Sequence, residues 1–181
     1  EKVLVGVGFN FLLVMLFVLP IDLLFQHLTR GENSLLLYQQ FLTWILYAIQ
    51  SSLGIEVYIR GENSTILAYA DIIDMEIVAE CSGLHETVFL SLLVLCFRGV
   101  RPMVRAKWAI YAAFFIFVEN LIRILSGYYL INIYDFSTWD KFHYFWWHTG
   151  QYALIMGVFV LWVMTVAGRP ENKSIKKNYT R

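Results

Sequence analysis

The sequence predicts a mainly α-helical, polytopic membrane protein of about five spans, with an extracytoplasmic β-hairpin ahead of the third. Three observations predict it. Of 181 residues, 59% are hydrophobic and 15% charged, against about a quarter charged in soluble domains, and mean hydropathy is +0.58. Apolar runs long enough to cross a hydrocarbon core recur along the chain. Basic residues gather at two places separated by two such runs, as the positive-inside bias requires of segments that end on the cytoplasmic side.

The first run, about residues 3–26, follows Lys2 and continues to Phe25 without a small-residue cleavage site, so it reads as a retained span and not a signal peptide. The second, about 35–53, is weaker because Gln39, Gln40, Thr43 and Gln50 interrupt it; the alternative for it is an interfacial amphipathic helix. Spans at about 83–97, extended by its polar N-terminal end, 108–131 and 148–168 are clear. Arg98, Arg101, Arg105 and Lys107 crowd the loop after the third span, and Arg169, Lys173, Lys176, Lys177 and Arg181 fill the C-terminal tail. Both are expected in the cytoplasm, which places residues 132–147 and the start of the third span outside. The expected organisation is one integral-membrane domain over 1–168 and a basic cytoplasmic tail over 169–181.

Between spans two and three, Ile55, Val57 and Ile59 alternate with Glu56, Tyr58 and Arg60, and Gly61-Glu62-Asn63-Ser64 supplies turn chemistry before a second β-prone run to about Val78. This predicts the hairpin, at about 54–79. The pentapeptide RGENS occurs at 30–34 and 60–64 with unrelated flanks, and reads as two similar turns, not a repeat.

Net charge is zero and there is no basic-aromatic patch, so nothing points to nucleic acid. No His, Cys or carboxylate set has metal-ligand spacing and no Gly-rich phosphate loop occurs; neither metal nor cofactor is expected. Cys81 and Cys96 lie within one span, roughly 22 Å apart at helical rise, too far to pair.

Ionisable residues within spans are expensive and mark function by default. Here they are Asp22, His85, Glu86, Glu119, Arg123 and His148. Arg123 lies well inside apolar sequence, with Glu119 one turn earlier on the same face; a purely structural ion pair between them is one reading. Cys81 stands where the hairpin ends and a helix begins, and a helix N-terminus favours a thiolate. A packing role is the plain alternative, as for Cys96. His148 opens the last span behind the aromatic belt Tyr144 to Trp147, and both His143 and His85 compete with it for any chemical role. The expected topology brings Cys81, Arg123 and His148 to similar depth near the outer face. A thiol, a cation and an imidazole are the groups that thiol-based acyl transfer needs.

The order ECSGL after an extracytoplasmic β segment, ENLIRIL in the next span and WHTGQY opening the following one resembles the exosortase/archaeosortase family of membrane cysteine transpeptidases, over about residues 40–165. In size the chain is closer to the compact archaeal forms, some of which carry arginine in place of His148. The resemblance implies Cys81 as nucleophile, Arg123 as the catalytic arginine that stabilises the oxyanion, and His148 as general base or ion-pair partner; Glu119 or Asn120 would orient Arg123. It implies substrates with a C-terminal sorting signal made of a short motif, an apolar span and a basic tail, cleaved through a Cys thioester and passed to an acceptor, often a membrane lipid. Two other readings fit the same residues: a membrane cysteine protease with water as acceptor, and a non-catalytic membrane scaffold.

Overall fold

The computed structural model describes residues 2–29, 34–69, 73–167 and 169, without the side chains of residues 2–11, 13 and 167. The first RGENS turn, apart from Ser34, and the basic tail beyond Arg169 lie outside the described residues.

Helix α1 (Lys2–Thr29) is followed by α2 (Leu36–Ser52), three short strands, a 3-10 turn (Ala79–Ser82), α3 (Leu84–Cys96) and α4 (Pro102–Ile133). A final rod comprises α5 (Phe136–Phe145), a π-helical turn (Trp146–Gly150), α6 (Gln151–Trp162) and a second π-helical turn (Val163–Ala167). Pro102 opens α4 at a position where its missing N–H costs nothing. Arg105, one turn on, donates to the carbonyls of Leu95 and Phe97 and so satisfies the frayed end of α3. Asp135 caps the rod by accepting the Thr138 N–H at 2.6 Å. The rod therefore starts at Phe136, well ahead of the expected 148.

Two helices are long and apolar enough to cross a membrane, Pro102–Ile133 and Phe136–Val166, while Val14–Thr29 and Leu84–Cys96 are shorter apolar helices. Ile110, Phe114, Val118 and Ile122 form an exposed apolar stripe on α4 at four-residue spacing. Its buried stripe reads Ala109, Ala112, Ile116, Asn120, Arg123 and Gly127. Apolar residues on the outside and polar ones inside suit a helix solvated by lipid.

The expected hairpin is a three-stranded antiparallel sheet, order β1-β2-β3, of Val57–Arg60, Ile66–Tyr69 and Ile73–Glu76. The first reversal uses the foreseen turn, with Gly61 at φ 89° and the Ser64 N–H donating to the Gly61 carbonyl. The second β-prone run is itself folded back between Tyr69 and Ile73, and no Gly, Pro or Asn in the sequence announces that reversal.

Two apolar clusters hold the fold. One joins α1, α3, α4 and the last rod through Val18, Leu90, Leu93, Ile116, Ile155 and Phe159. The other joins α2, the sheet and α4 through Leu42, Leu46, Leu67, Tyr69, Ile77 and Ile124. Helix α4 contributes to both, and the polar pair Asn120 and Arg123 lies on it between Ile116 and Ile124, at the seam.

Candidate active site at the helix-sheet seam

Cys81 sits in the 3-10 turn that leaves the sheet, not on the first turn of α3. Gly83, with φ 70°, separates the two and takes the left-handed conformation that other residues adopt at a cost. A Cβ at Gly83 would lie 2.8 Å from Asn120 Cγ, so the glycine is needed for close approach as well as for its backbone angle. Ser82 is buried beside it, its hydroxyl accepting the Leu84 N–H.

That close approach fixes the guanidinium. Asn120 Oδ1 accepts from Arg123 Nη2 at 2.6 Å, and the same nitrogen faces the Cys81 carbonyl at 3.4 Å. Nη1 faces Gln151 Oε1 at 3.5 Å. Arg123 is only 8% exposed, and among the described residues its hydrogen-bond acceptors are all neutral. The expected Glu119–Arg123 pair is thus indirect. Glu119 accepts from Trp146 Nε1 at 2.9 Å and from Gln151 Nε2 at 3.2 Å, so Gln151 stands between carboxylate and guanidinium. Trp146, part of the expected aromatic belt, and Gln151 thus act within the site; a glutamine opening the apolar stretch QYALIM is a signal of the same kind as an ionisable residue in a span.

Cys81 and Arg123 line one cavity of about 170 Å³, together with the β3 segment Ile73 to Ile77 and with Trp139 and His143 of α5. Trp139 comes close because Gly127 of α4 has no side chain: a Cβ there would be 2.7 Å from the indole nitrogen. Trp139 in turn stacks on His143 at 5.0 Å and 8°. His148 lies elsewhere. It is exposed in the first π-helical turn, its Nδ1 3.0 Å from the Tyr144 carbonyl, and it borders a second cavity with Glu80, His85, Glu86 and Tyr152. Thus Cys81 and Arg123 meet, His143 joins them, and His148 and His85 border the neighbouring space.

Burial pushes the Cys81 thiol above the ordinary cysteine range, and the Arg123 guanidinium pulls part of the way back. At neutral pH the resting group is a thiol, and attack on a carbonyl requires a base in the same step.

A half-buried thiol and a buried, hydrogen-bonded guanidinium thus border one cavity of a helical protein with apolar, lipid-suited helices. A model of the transmembrane exosortase family matches residues 5–166, and the chain belongs to that family. The family acts on exported proteins that carry sorting signals. No curated protein and no solved structure matches the chain.

Proposed function

We propose that this protein is a cysteine transpeptidase of five spans, its site on the extracytoplasmic side and its C-terminus in the cytoplasm, which cleaves a C-terminal sorting signal and passes the new carboxyl end to a lipid acceptor. The observation that carries the proposal is the shared Cys81–Arg123 cavity. A buried cation costs several kcal/mol unless something compensates it, and a developing oxyanion would supply that compensation at the moment it is needed.

In the first half-reaction a histidine removes the Cys81 proton while Sγ attacks the scissile carbonyl carbon. Arg123 holds the resulting oxyanion. Collapse breaks the C–N bond, the histidine returns its proton to the leaving amine, and a thioester remains on Cys81. In the second half, an acceptor hydroxyl or amine loses its proton to the histidine, attacks the thioester and releases Cys81 as a thiol. Asn120 and Gln151 act as positioning residues for Arg123, and Glu119 acts through Gln151. The family resemblance gives the histidine's role to His148. A second reading gives it to His143, because His143 lines the cavity that holds the thiol.

The test is the intact mass of a co-expressed exported protein ending in a motif, an apolar span and a basic tail, with wild type and with Cys81→Ala. The expected product is a shortened chain carrying the added mass of the acceptor, absent with Cys81→Ala. A shortened chain ending in a free carboxylate would make the protein a hydrolase, and unchanged processing by Cys81→Ala would refute a thiol mechanism.

A further inference from the structure

The cavity that holds Cys81 is bordered by five consecutive residues of the sheet, Ile73, Asp74, Met75, Glu76 and Ile77. Side chains alternate across a strand, so a cavity resting on one face would meet only every second residue. Contact with all five means that the space runs along the edge of the strand, where the backbone is presented.

Among the described residues that edge is unpaired, since β3 is the last strand of the order β1-β2-β3. The Ile77 N–H donates to the Thr65 carbonyl at 2.9 Å, which continues the register Ile66↔Glu76, Leu67↔Met75. In an antiparallel ladder the residues alternate between pointing both backbone groups at the partner and pointing both away. Ile77, Met75 and Ile73 therefore turn theirs to β2, and Asp74 and Glu76 turn theirs outward. The side chains divide as well: Asp74 and Glu76 are exposed, while Ile73 and Met75 are half-buried on the other face. The edge carries no proline or lysine; its four-residue length and the Asp74 and Glu76 carboxylates are what discourage uncharged or acidic strands from adding to it. Downstream, only Val78, Ala79 and Glu80 separate Ile77 from the nucleophile.

We infer that the outward edge of β3 is the docking strand for the substrate, whose extended stretch before the apolar anchor adds as a fourth strand and so carries its scissile bond to Cys81. The inference rests on the transpeptidase reading and specifies how that site selects its client. Main-chain pairing with Asp74 and Glu76 supplies sequence-independent affinity, as in other strand additions. Selectivity then comes from alternation: client residues beside Asp74 and Glu76 are basic or polar, and those between them are small or apolar and face Ile73 and Met75.

The experiment uses full-length enzyme in membranes and an exported reporter with a motif, an apolar span and a basic tail taken from the same genome. Asp74→Pro and Glu76→Pro each delete one outward N–H without touching the β2–β3 ladder, a placement that edge strands tolerate. Each is expected to slow Cys81-dependent processing by about tenfold, a larger loss than in Asp74→Ala and Glu76→Ala, which keep the N–H and remove only the carboxylate. Alkylation of Cys81 at the wild-type rate serves as the check on folding. Should the proline variants misfold, a proline scan of the reporter's motif against wild-type enzyme decides: loss at every second position is the mark of strand pairing, and loss without period two overturns the inference. Folded proline variants that process normally, or alanine variants as slow as the proline ones, also overturn it. Processing that survives Cys81→Ala would instead remove the transpeptidase reading, and the docking strand with it.

Discussion

The turn Ala79–Ser82 contributes Cys81 to one cavity and Ala79 and Glu80 to another, and only the first also holds a buried cation, Arg123. Around Cys81 the walls are mostly apolar, with Arg123 as the buried cation and His143 held against Trp139. The other space holds Glu80, His85, Glu86 and His148, and a further cavity beyond it reaches Asp22. Three of its polar atoms, Asp22 Oδ1, His85 Nδ1 and Glu86 Oε2, are buried without a hydrogen-bond partner among the described residues. The difference teaches where charge is tolerable. Carboxylates beside a forming oxyanion would oppose the field of Arg123; the two that border the Cys81 cavity, Asp74 and Glu76, are exposed on β3, and Glu119 is tied up by Trp146 and Gln151.

The largest expected effect comes from removing each histidine in turn. A general base is worth about 10²–10⁴ in rate. If the thiol takes its base from its own cavity, His143→Ala loses activity on that scale and His148→Ala loses less than about tenfold. The readout is the single-turnover rate of thioester formation as a function of pH, because loss of the base also removes the rising limb of the profile, which a packing defect would leave in place. The reverse ranking would show that the working enzyme joins the two spaces and would give the base to His148.

Next in size is Arg123. Deleting one preorganised donor to an oxyanion costs about 10²–10³ in rate, and Arg123→Gln is expected to do so with little change in KM. Arg123→Lys is not a conservative rescue, since an ammonium cannot satisfy Asn120 and Gln151 from one plane as a guanidinium does. Full activity in Arg123→Gln would leave the buried cation as a packing device.

How much of this was legible beforehand follows from the kind of signal involved. Helix α4 was readable because an apolar run interrupted by Glu119, Asn120 and Arg123 has one physical explanation, an interior polar site. The edges of the elements were less so: the start of the rod at Phe136 depends on a single Asp135 cap ahead of a fairly polar first turn, whereas hydropathy sees only the apolar part. The third strand is hard to foresee because the sequence between Tyr69 and Ile73 has no Gly, Pro or Asn and offers only Asp71 as a turn former. Long-range pairings were the least legible. Nothing local in WHTGQY says that Gln151, not His148, reaches Arg123, or that Gly83 is matched to Asn120 thirty-seven positions on (120 − 83).

Gly83→Ala tests that last match and is expected to be milder. It forces a side chain into the left-handed region, a cost of about 1–2 kcal/mol, and pushes Asn120 from contact distance. Melting temperature in detergent should fall, and activity should fall more than folding does, because Asn120 is what aims Arg123. A variant with lowered stability and intact turnover per folded molecule would separate the glycine from the site.

The smallest effect is a shift in pH, and it bears most directly on the contrast between the two spaces. Burial holds the Cys81 thiol above the ordinary range and Arg123 opposes it, so the neutral form is favoured until the pH passes the raised value. Alkylation of Cys81 by a small maleimide in the folded protein should therefore rise with pH with a midpoint above that of free cysteine in the same detergent. Arg123→Gln removes the opposing charge, which moves the midpoint higher still; Glu80→Gln removes a repelling one and moves it lower. A midpoint below that of free cysteine would mean that the cavity is wetter or more positive than its lining implies, and that the thiolate exists before any base acts. In that event the sulfur would need no histidine for its first step, and Arg123 would hold a standing thiolate before it holds a transient oxyanion.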